Sequence, residues 1–130
     1  MSSLKDTMVG NADTISRMFD SVEKGDMESF KSCFEEDATI WLNIDQVDRG
    51  VVDSSEHLKG VVAGSDYFNY RDRKFYNDGN SSFVQYTVLV SPKGGQEIGI
   101  PAIARVEFSS GGKIARLEEY FDSAALRGSH

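Results

Sequence analysis

Two hydrophobic periods divide this chain. Up to about residue 64 the apolar residues recur every three or four positions, and beyond it they recur mostly every second position. Leu4, Met8, Ala12, Ile15, Met18, Phe19 and Val22 share one helical face, which predicts a first helix ending near Gly25. Asp26 fits the N-cap of a short second helix carrying Met27, Phe30, Cys33 and Phe34 on one side. Ala38–Asn43 is β-branched and aromatic, the composition of a strand. Asp53 and Glu56 have the spacing of a capping box and predict a third helix running to about Gly64. Strands are then expected at Tyr70–Tyr76, Ser82–Val90, Ile98–Phe108 and Lys113–Phe121, with turns at Asp78-Gly79-Asn80, Ser91–Gly95 and Ser109–Gly112. A C-terminal turn over Ser123–Leu126, capped by Asp122, closes the pattern. Helices first and an antiparallel meander afterwards predict an α+β domain. Its cone-shaped, mostly antiparallel sheet is roofed on one face by three N-terminal helices and encloses a pocket.

The last strand contains an anomaly. Side chains alternate between the faces of a strand, so Leu117, Glu119 and Phe121 point one way and Arg116, Glu118, Tyr120 and Asp122 the other. The first set places a carboxylate between two large apolar residues. Such a group loses solvation, its pKa rises, and it becomes suited to proton transfer near neutral pH. The bland alternative is a structural acid paired with Arg105 or Arg116.

Composition narrows the possible functions. The 130 residues suit one domain over 1–127, and Gly128-Ser129-His130 reads as the remnant of an expression tag. A net charge of −7 argues against nucleic-acid or anionic-membrane partners. No apolar run reaches the length of a membrane span, and no signal-peptide core opens the chain. The single cysteine, Cys33, excludes an internal disulfide and a Cys-rich zinc site, and a reducing cytoplasm is expected. His57 is the one histidine outside the tag-like end, so a His-based metal site is not expected. No phosphate loop or dinucleotide fingerprint is present, and no cofactor is implied.

Three stretches carry a family likeness: Gly25–Phe30, then Phe34–Thr39 with its Asp37-Ala38-Thr39, then Gly112–Asp122. Together they resemble the SnoaL-like branch of the nuclear-transport-factor-2-like superfamily, over nearly the whole chain. The resemblance implies the conical fold, and Asp37 as a turn residue, but it leaves the chemistry open, because this superfamily holds isomerases, epoxide hydrolases, cyclases, dehydratases and non-catalytic binders. Ketosteroid isomerase in that superfamily uses an aspartate of the first strand and a tyrosine of the first helix. Here those positions hold Leu42 and Met18, which excludes that dyad. Limonene epoxide hydrolase uses Tyr-x-Asn, Arg-x-Asp and a last-strand aspartate. Trp41-Leu42-Asn43 resembles the first motif with one residue of slip. Gln85-Tyr86-Thr87 replaces both charged members of the second, and Glu119 stands at the third.

These readings combine into one expectation. The chain is a cofactor-independent lyase, isomerase or cyclase acting on a small, apolar, ring-containing molecule, with Glu119 moving the proton. Asn43, Gln85 and Thr87 hold substrate oxygens, while Trp41, Leu89, Ile103, Leu117 and Phe121 form the apolar wall. Tyr67, Phe68 and Tyr70 stand near the mouth or bridge helix to sheet. His57 is a secondary candidate base and more simply a surface residue. A homodimer through the outer sheet face, around Arg105, Glu107, Arg116, Glu118 and Tyr120, completes the picture. The rivals are a non-catalytic carrier with the same pocket and a dimeric scaffold whose cavity is vestigial.

Overall fold

Helix α1 (Leu4–Lys24) carries the apolar stripe that the helical spacing predicts: Ile15, Met18, Phe19 and Val22 are all essentially solvent-free. The computed structural model describes residues 4–79 and 81–127, with side-chain placement from 10 to 79 and from 81 to 125. The tag-like Gly128–His130, the turn residue Asn80 and the side chains of Leu4, Met8 and Leu126 lie outside the described residues. Helix α1 ends where Gly25 enters the left-handed region at φ 73°. There the Gly25 and Asp26 amides donate to the Val22 and Ser21 carbonyls, the paired bonds of a Schellman stop. Asp26 then caps α2 (Met27–Ser32), its carboxylate accepting from the Ser29 amide at 3.1 Å.

Strand β1 (Phe34–Leu42) follows and begins earlier than the β-branched core suggests. Asp37, read as a turn residue, lies within this strand where its register shifts between Phe34 and Thr39. A three-residue strand β2 (Asp48–Gly50) pairs back onto β1, and it is too short to show any period in sequence. Helix α3 (Val51–Ala63) starts two residues before the capping box that Asp53 and Glu56 suggest. Gly50 occupies the N-cap in extended backbone with no side-chain bond, and Asp53 sits in the first turn, favoured there by the helix dipole.

Strands β3 (Ser65–Asp78), β4 (Ser81–Pro92), β5 (Ile98–Phe108) and β6 (Ile114–Phe121) form an antiparallel meander, and β3 begins five residues before Tyr70. The sheet order is β2-β1-β6-β5-β4-β3, and the β1–β6 pair is parallel. That pairing brings the first and last long strands side by side, setting Leu42 beside Glu119. A five-residue helix α4 (Ser123–Arg127) ends the described chain, capped by Asp122 as the sequence predicts, through bonds from the Ala124 and Ala125 amides.

Helices α1, α2 and α3 cover one face of the sheet, and the core lies between. Inner positions alternate without a break across four strands. Ile40 and Leu42 of β1, Leu117, Glu119 and Phe121 of β6, Ala102, Ala104 and Val106 of β5, and Val84, Tyr86 and Val88 of β4 all share that face. The fold is the α+β, helix-roofed curved sheet expected.

Candidate active site

A cavity of about 330 Å³ opens between the sheet and helix α3, within the range of small-molecule sites. Its walls are mainly aliphatic and aromatic: Ile40, Leu42 and Leu117 from β1 and β6, Val88, Val90 and Ile100 from β4 and β5, Leu58 and Val61 from α3. Glu119 stands in this wall with Phe121 and Leu117 on either side, as the strand alternation predicts.

What sets Glu119 apart is its hydrogen-bond partner. The Tyr86 hydroxyl donates to Glu119 Oε2 from two strands away. Strand β5 lies between them, and its inner positions there are Ala102, opposite Tyr86, and Ala104, opposite Glu119. Two methyl groups leave the phenol room to cross the strand; larger residues would block it. Tyr86 is itself held in an aromatic cluster, tilted against Phe19 at 4.8 Å and edge-on to Tyr70 at 5.6 Å.

Tyr70 is placed by strain in β3. Asp72 adopts φ 57° and the β3–β4 register shifts between Arg71 and Lys74. A non-glycine residue in that region costs about 1–3 kcal/mol and persists only where its surroundings hold it. Arg73 supplies that hold. Its guanidinium bonds Asp20 at 2.9 Å, Glu23 at 3.2 Å and the Tyr70 carbonyl at 3.0 Å, while Glu23 also accepts from the Tyr70 amide at 2.7 Å. The clasp draws Tyr70 onto Phe19, ring centroids 4.1 Å apart, and into the cavity wall. The Tyr70 hydroxyl has no hydrogen-bond partner among the described residues.

The electrostatics follow from this enclosure. Burial raises the Glu119 pKa from an ordinary 4.5 to about 7, and the bond from Tyr86 only partly opposes the rise. Glu119 keeps some accessible surface because the cavity it faces is open at one end, yet protein surrounds it on every other side. Burial first, and then the charge of Glu119, push both the Tyr70 and Tyr86 phenols well above their ordinary value. The site therefore holds a carboxyl poised between its two protonation states near neutral pH, and two phenols that stay protonated.

The structure separates the sequence candidates. Glu119, Leu117, Phe121 and His57 line the cavity, His57 on an exposed turn of α3; Phe68 and Tyr70 line it as well. Tyr67 does not, and is 38% exposed. Trp41, Asn43, Gln85, Thr87, Leu89 and Ile103 do not line it. In β4 the even-numbered residues are the inward set, so Gln85, Thr87 and Leu89 lie on the outer face, opposite Ile103, Pro101 and Gly99 of β5. Ile103 is 42% exposed there. Trp41 shares the outer register with Glu118 and packs on Tyr120 at 5.2 Å. Asn43 serves the backbone. Its amide donates to the Phe121 carbonyl at 3.1 Å and its oxygen accepts from the Phe121 amide at 2.8 Å, tying the end of β6 to β1. Arg105 and Arg116 pair with Glu118, not Glu119, removing the structural ion-pair alternative for the inner acid.

Tyr86 was not among the candidates. Its signal lay in the alternation of Ser82, Val84, Tyr86, Val88 and Val90, an apolar-rich set against the more polar Ser81, Phe83, Gln85, Thr87 and Leu89.

The SnoaL-like domain profile matches residues 15–117, more than half of the chain. The chain belongs to the SnoaL-like family. Among solved structures it resembles a protein from Xanthomonas campestris pv. campestris provisionally named a polyketide cyclase, at TM-score 0.80 and 16% identity over 95% of this chain and 98% of that one. A SnoaL-like protein from Shewanella denitrificans, provisionally named likewise, superposes at TM-score 0.79 with 11% identity, covering 92% and 95%. A Bacillus subtilis protein provisionally named an isomerase gives 0.79 at 13% identity, covering 95% and 94%. At these identities the likeness is one of fold. No curated protein matches the chain in sequence. Among the described residues no helix is long and apolar enough to cross a membrane, and no cluster of potential metal ligands occurs.

Proposed function

We propose that this SnoaL-like protein is a cofactor-independent acid/base enzyme, an isomerase, cyclase or lyase acting on a small apolar ring compound. The observation that carries the proposal is Glu119, which faces an apolar cavity and accepts a bond from the buried Tyr86, with Tyr70 in the same cavity wall and its hydroxyl without a partner among the described residues. Tyr86 occupies Oε2 of Glu119 and leaves Oε1 for the substrate. In its ionised form Glu119 takes a proton from a carbon next to a substrate carbonyl. Charge then develops on the carbonyl oxygen, and the Tyr70 hydroxyl donates to it in a site from which most water is excluded. Protonated Glu119 returns the proton to a second carbon, or to a leaving oxygen, and is regenerated. A carboxyl with a pKa of about 7 serves both halves of that cycle at neutral pH. The names given to the structural neighbours, cyclase and isomerase, are in keeping with such chemistry on ring-forming or ring-containing substrates.

The outer sheet face supports a homodimer in this reading. Trp41, Tyr120 and Ile103 form an aromatic and aliphatic patch rimmed by the Arg105, Glu107, Arg116, Glu118 and Asp48 ion pairs. The lone, buried Cys33 suits a reducing cytoplasm.

Proton abstraction is measurable without the natural substrate. Hydrogen–deuterium exchange at the α-carbons of 2-tetralone, followed by NMR in D₂O, should be faster with the protein than in buffer. Glu119→Gln should lower the protein's contribution by about 100-fold or more. Glu118→Gln, on the other face, should leave it unchanged. No acceleration by the wild type, or equal acceleration by Glu119→Gln, would favour the carrier reading.

A further inference from the structure

The cavity has a second polar end. The β1–β2 hairpin contributes Ile44 and Asp45 from its turn and Arg49 from β2 to the lining, and α3 contributes Ser54 and His57. Arg49 Nη2 bonds Asp45 Oδ2 at 2.5 Å. Its other terminal nitrogen, Nη1, is enclosed by protein and has no acceptor among the described residues, the one buried side-chain nitrogen or oxygen there so placed. A guanidinium keeps its charge at any ordinary pH, and an enclosed donor left unpaired costs free energy that a bound acceptor recovers. The nearby carboxylates are Asp45, already engaged, and Asp53 in the first turn of α3, whose charge reaches Arg49 without a hydrogen bond. The turn after β1 adds Ile44 and α3 adds Leu58 and Val61, so the guanidinium is the permanent cation in the cavity lining.

We infer that Arg49 is a specificity-determining residue and that the substrate carries a carboxylate, or an equivalent oxyanion, at the end facing the mouth. The inference rests on reading this cavity as the substrate site. The occupant is then bipolar. Its apolar ring body spans the aliphatic walls, its reactive carbon and carbonyl lie by Glu119 and Tyr70, and its acidic group meets Arg49. Meeting a carboxylate that enters from the mouth requires the guanidinium to turn, and the side chain, tethered to Asp45 through Nη2, is one-third exposed. Two donors then face two oxygens in the planar geometry that arginine and carboxylate share. Asp45 competes for the same cation and holds it in place when the cavity is empty.

Calorimetric titration at pH 8 with 2-naphthoate and its methyl ester tests this assignment. The two probes share a ring body and differ in the charged group. Wild type should bind the acid about tenfold or more tightly than the ester. Arg49→Met should abolish that preference, bringing affinity for the acid down to that for the ester or below it. Asp45→Asn should strengthen 2-naphthoate binding by removing the competitor, and Asp66→Asn, an exposed charge control, should not. The Asp45 variant keeps the test informative if Arg49→Met folds poorly. Ester binding without preference for the acid would overturn the role of Arg49 and leave the cavity reading standing. A preference surviving Arg49→Met, or equal gains from both aspartate variants, would also overturn it. Failure of both probes to bind would remove this inference together with the substrate-site reading.

Discussion

Replacing Glu119 by glutamine removes the ionisable group from the cavity wall and keeps its shape, so the variant isolates what the charge costs the fold. In the unfolded chain Glu119 releases its proton near 4.5, and in the folded protein near 7. Between those values the folded state holds a proton that the unfolded state has lost. Wild-type stability therefore contains a contribution that is full below pH 4.5, falls as pH rises through the window, and is gone above about pH 7. At about 1.4 kcal/mol for each tenfold change in proton affinity, the difference is at most about 3.5 kcal/mol. Water admitted through the cavity mouth reduces it. Glutamine is neutral throughout and still accepts from Tyr86. Urea unfolding of both proteins from pH 4.5 to 8.5 should give nearly equal stabilities at the acid end. Glu119→Gln should become the more stable protein by about 1–3 kcal/mol at the alkaline end. Other titrating groups are common to both and cancel in the difference. Parallel curves, or a variant that loses stability as pH rises, would refute the reasoning that Glu119 is desolvated.

Three further outcomes are expected. Tyr86→Phe removes the hydrogen bond that holds the Glu119 pKa down, so the alkaline-going rise of the 2-tetralone exchange rate should move to higher pH; an unmoved profile would dissociate the pair. Asn43→Ala leaves the Phe121 amide and carbonyl without their partners, and should cost about 1–3 kcal/mol in urea unfolding; a cost near zero would show that β6 does not depend on this tie. Light scattering should find a dimer at micromolar concentration, and Tyr120→Glu, which places a charge in the aromatic patch beside Trp41, should yield monomers; a wild-type monomer would remove the proposed interface.

What was legible in the sequence was what a local period encodes. The stripe on α1, the Gly25 stop, the Asp26 and Asp122 caps and the inward turn of Glu119 all follow from spacing within a few residues, and the structure bears each of them out. The readings at Gln85, Thr87, Leu89, Ile103, Trp41 and Asn43 fail, and the physical reason differs from strand to strand. Gln85 and Thr87 match a motif of another family member by position, but the local alternation of Val84, Tyr86 and Val88 sets the inward face. A slip of one residue exchanges the faces of a whole strand, so Tyr86 was lost and Gln85, Thr87 and Leu89 were placed inside. Trp41 belongs to the stretch that resembles another motif of that relative, with one residue of slip, although Ile40 and Leu42 on either side are the inward pair. Asn43 lies one residue beyond β1, where alternation no longer says which way a side chain turns. Arg49 and Asp45 could not be read at all. They reach the cavity only because the short β1–β2 hairpin contributes to its lining, and a three-residue strand leaves no periodic trace. The parallel pairing that sets Leu42 beside Glu119 joins residues 77 positions apart, beyond any local signal.

The central claim is that Glu119 is a buried carboxyl poised near neutral pH in an apolar cavity. Selective ¹³C labelling of glutamate, with the Glu119 side-chain carboxyl resonance assigned by its loss in Glu119→Gln, reports its ionisation directly. The predicted titration midpoint is about 7, against 4.5 for an ordinary glutamate. A midpoint at the ordinary value would mean that the carboxyl is solvated, and would contradict the account of the site.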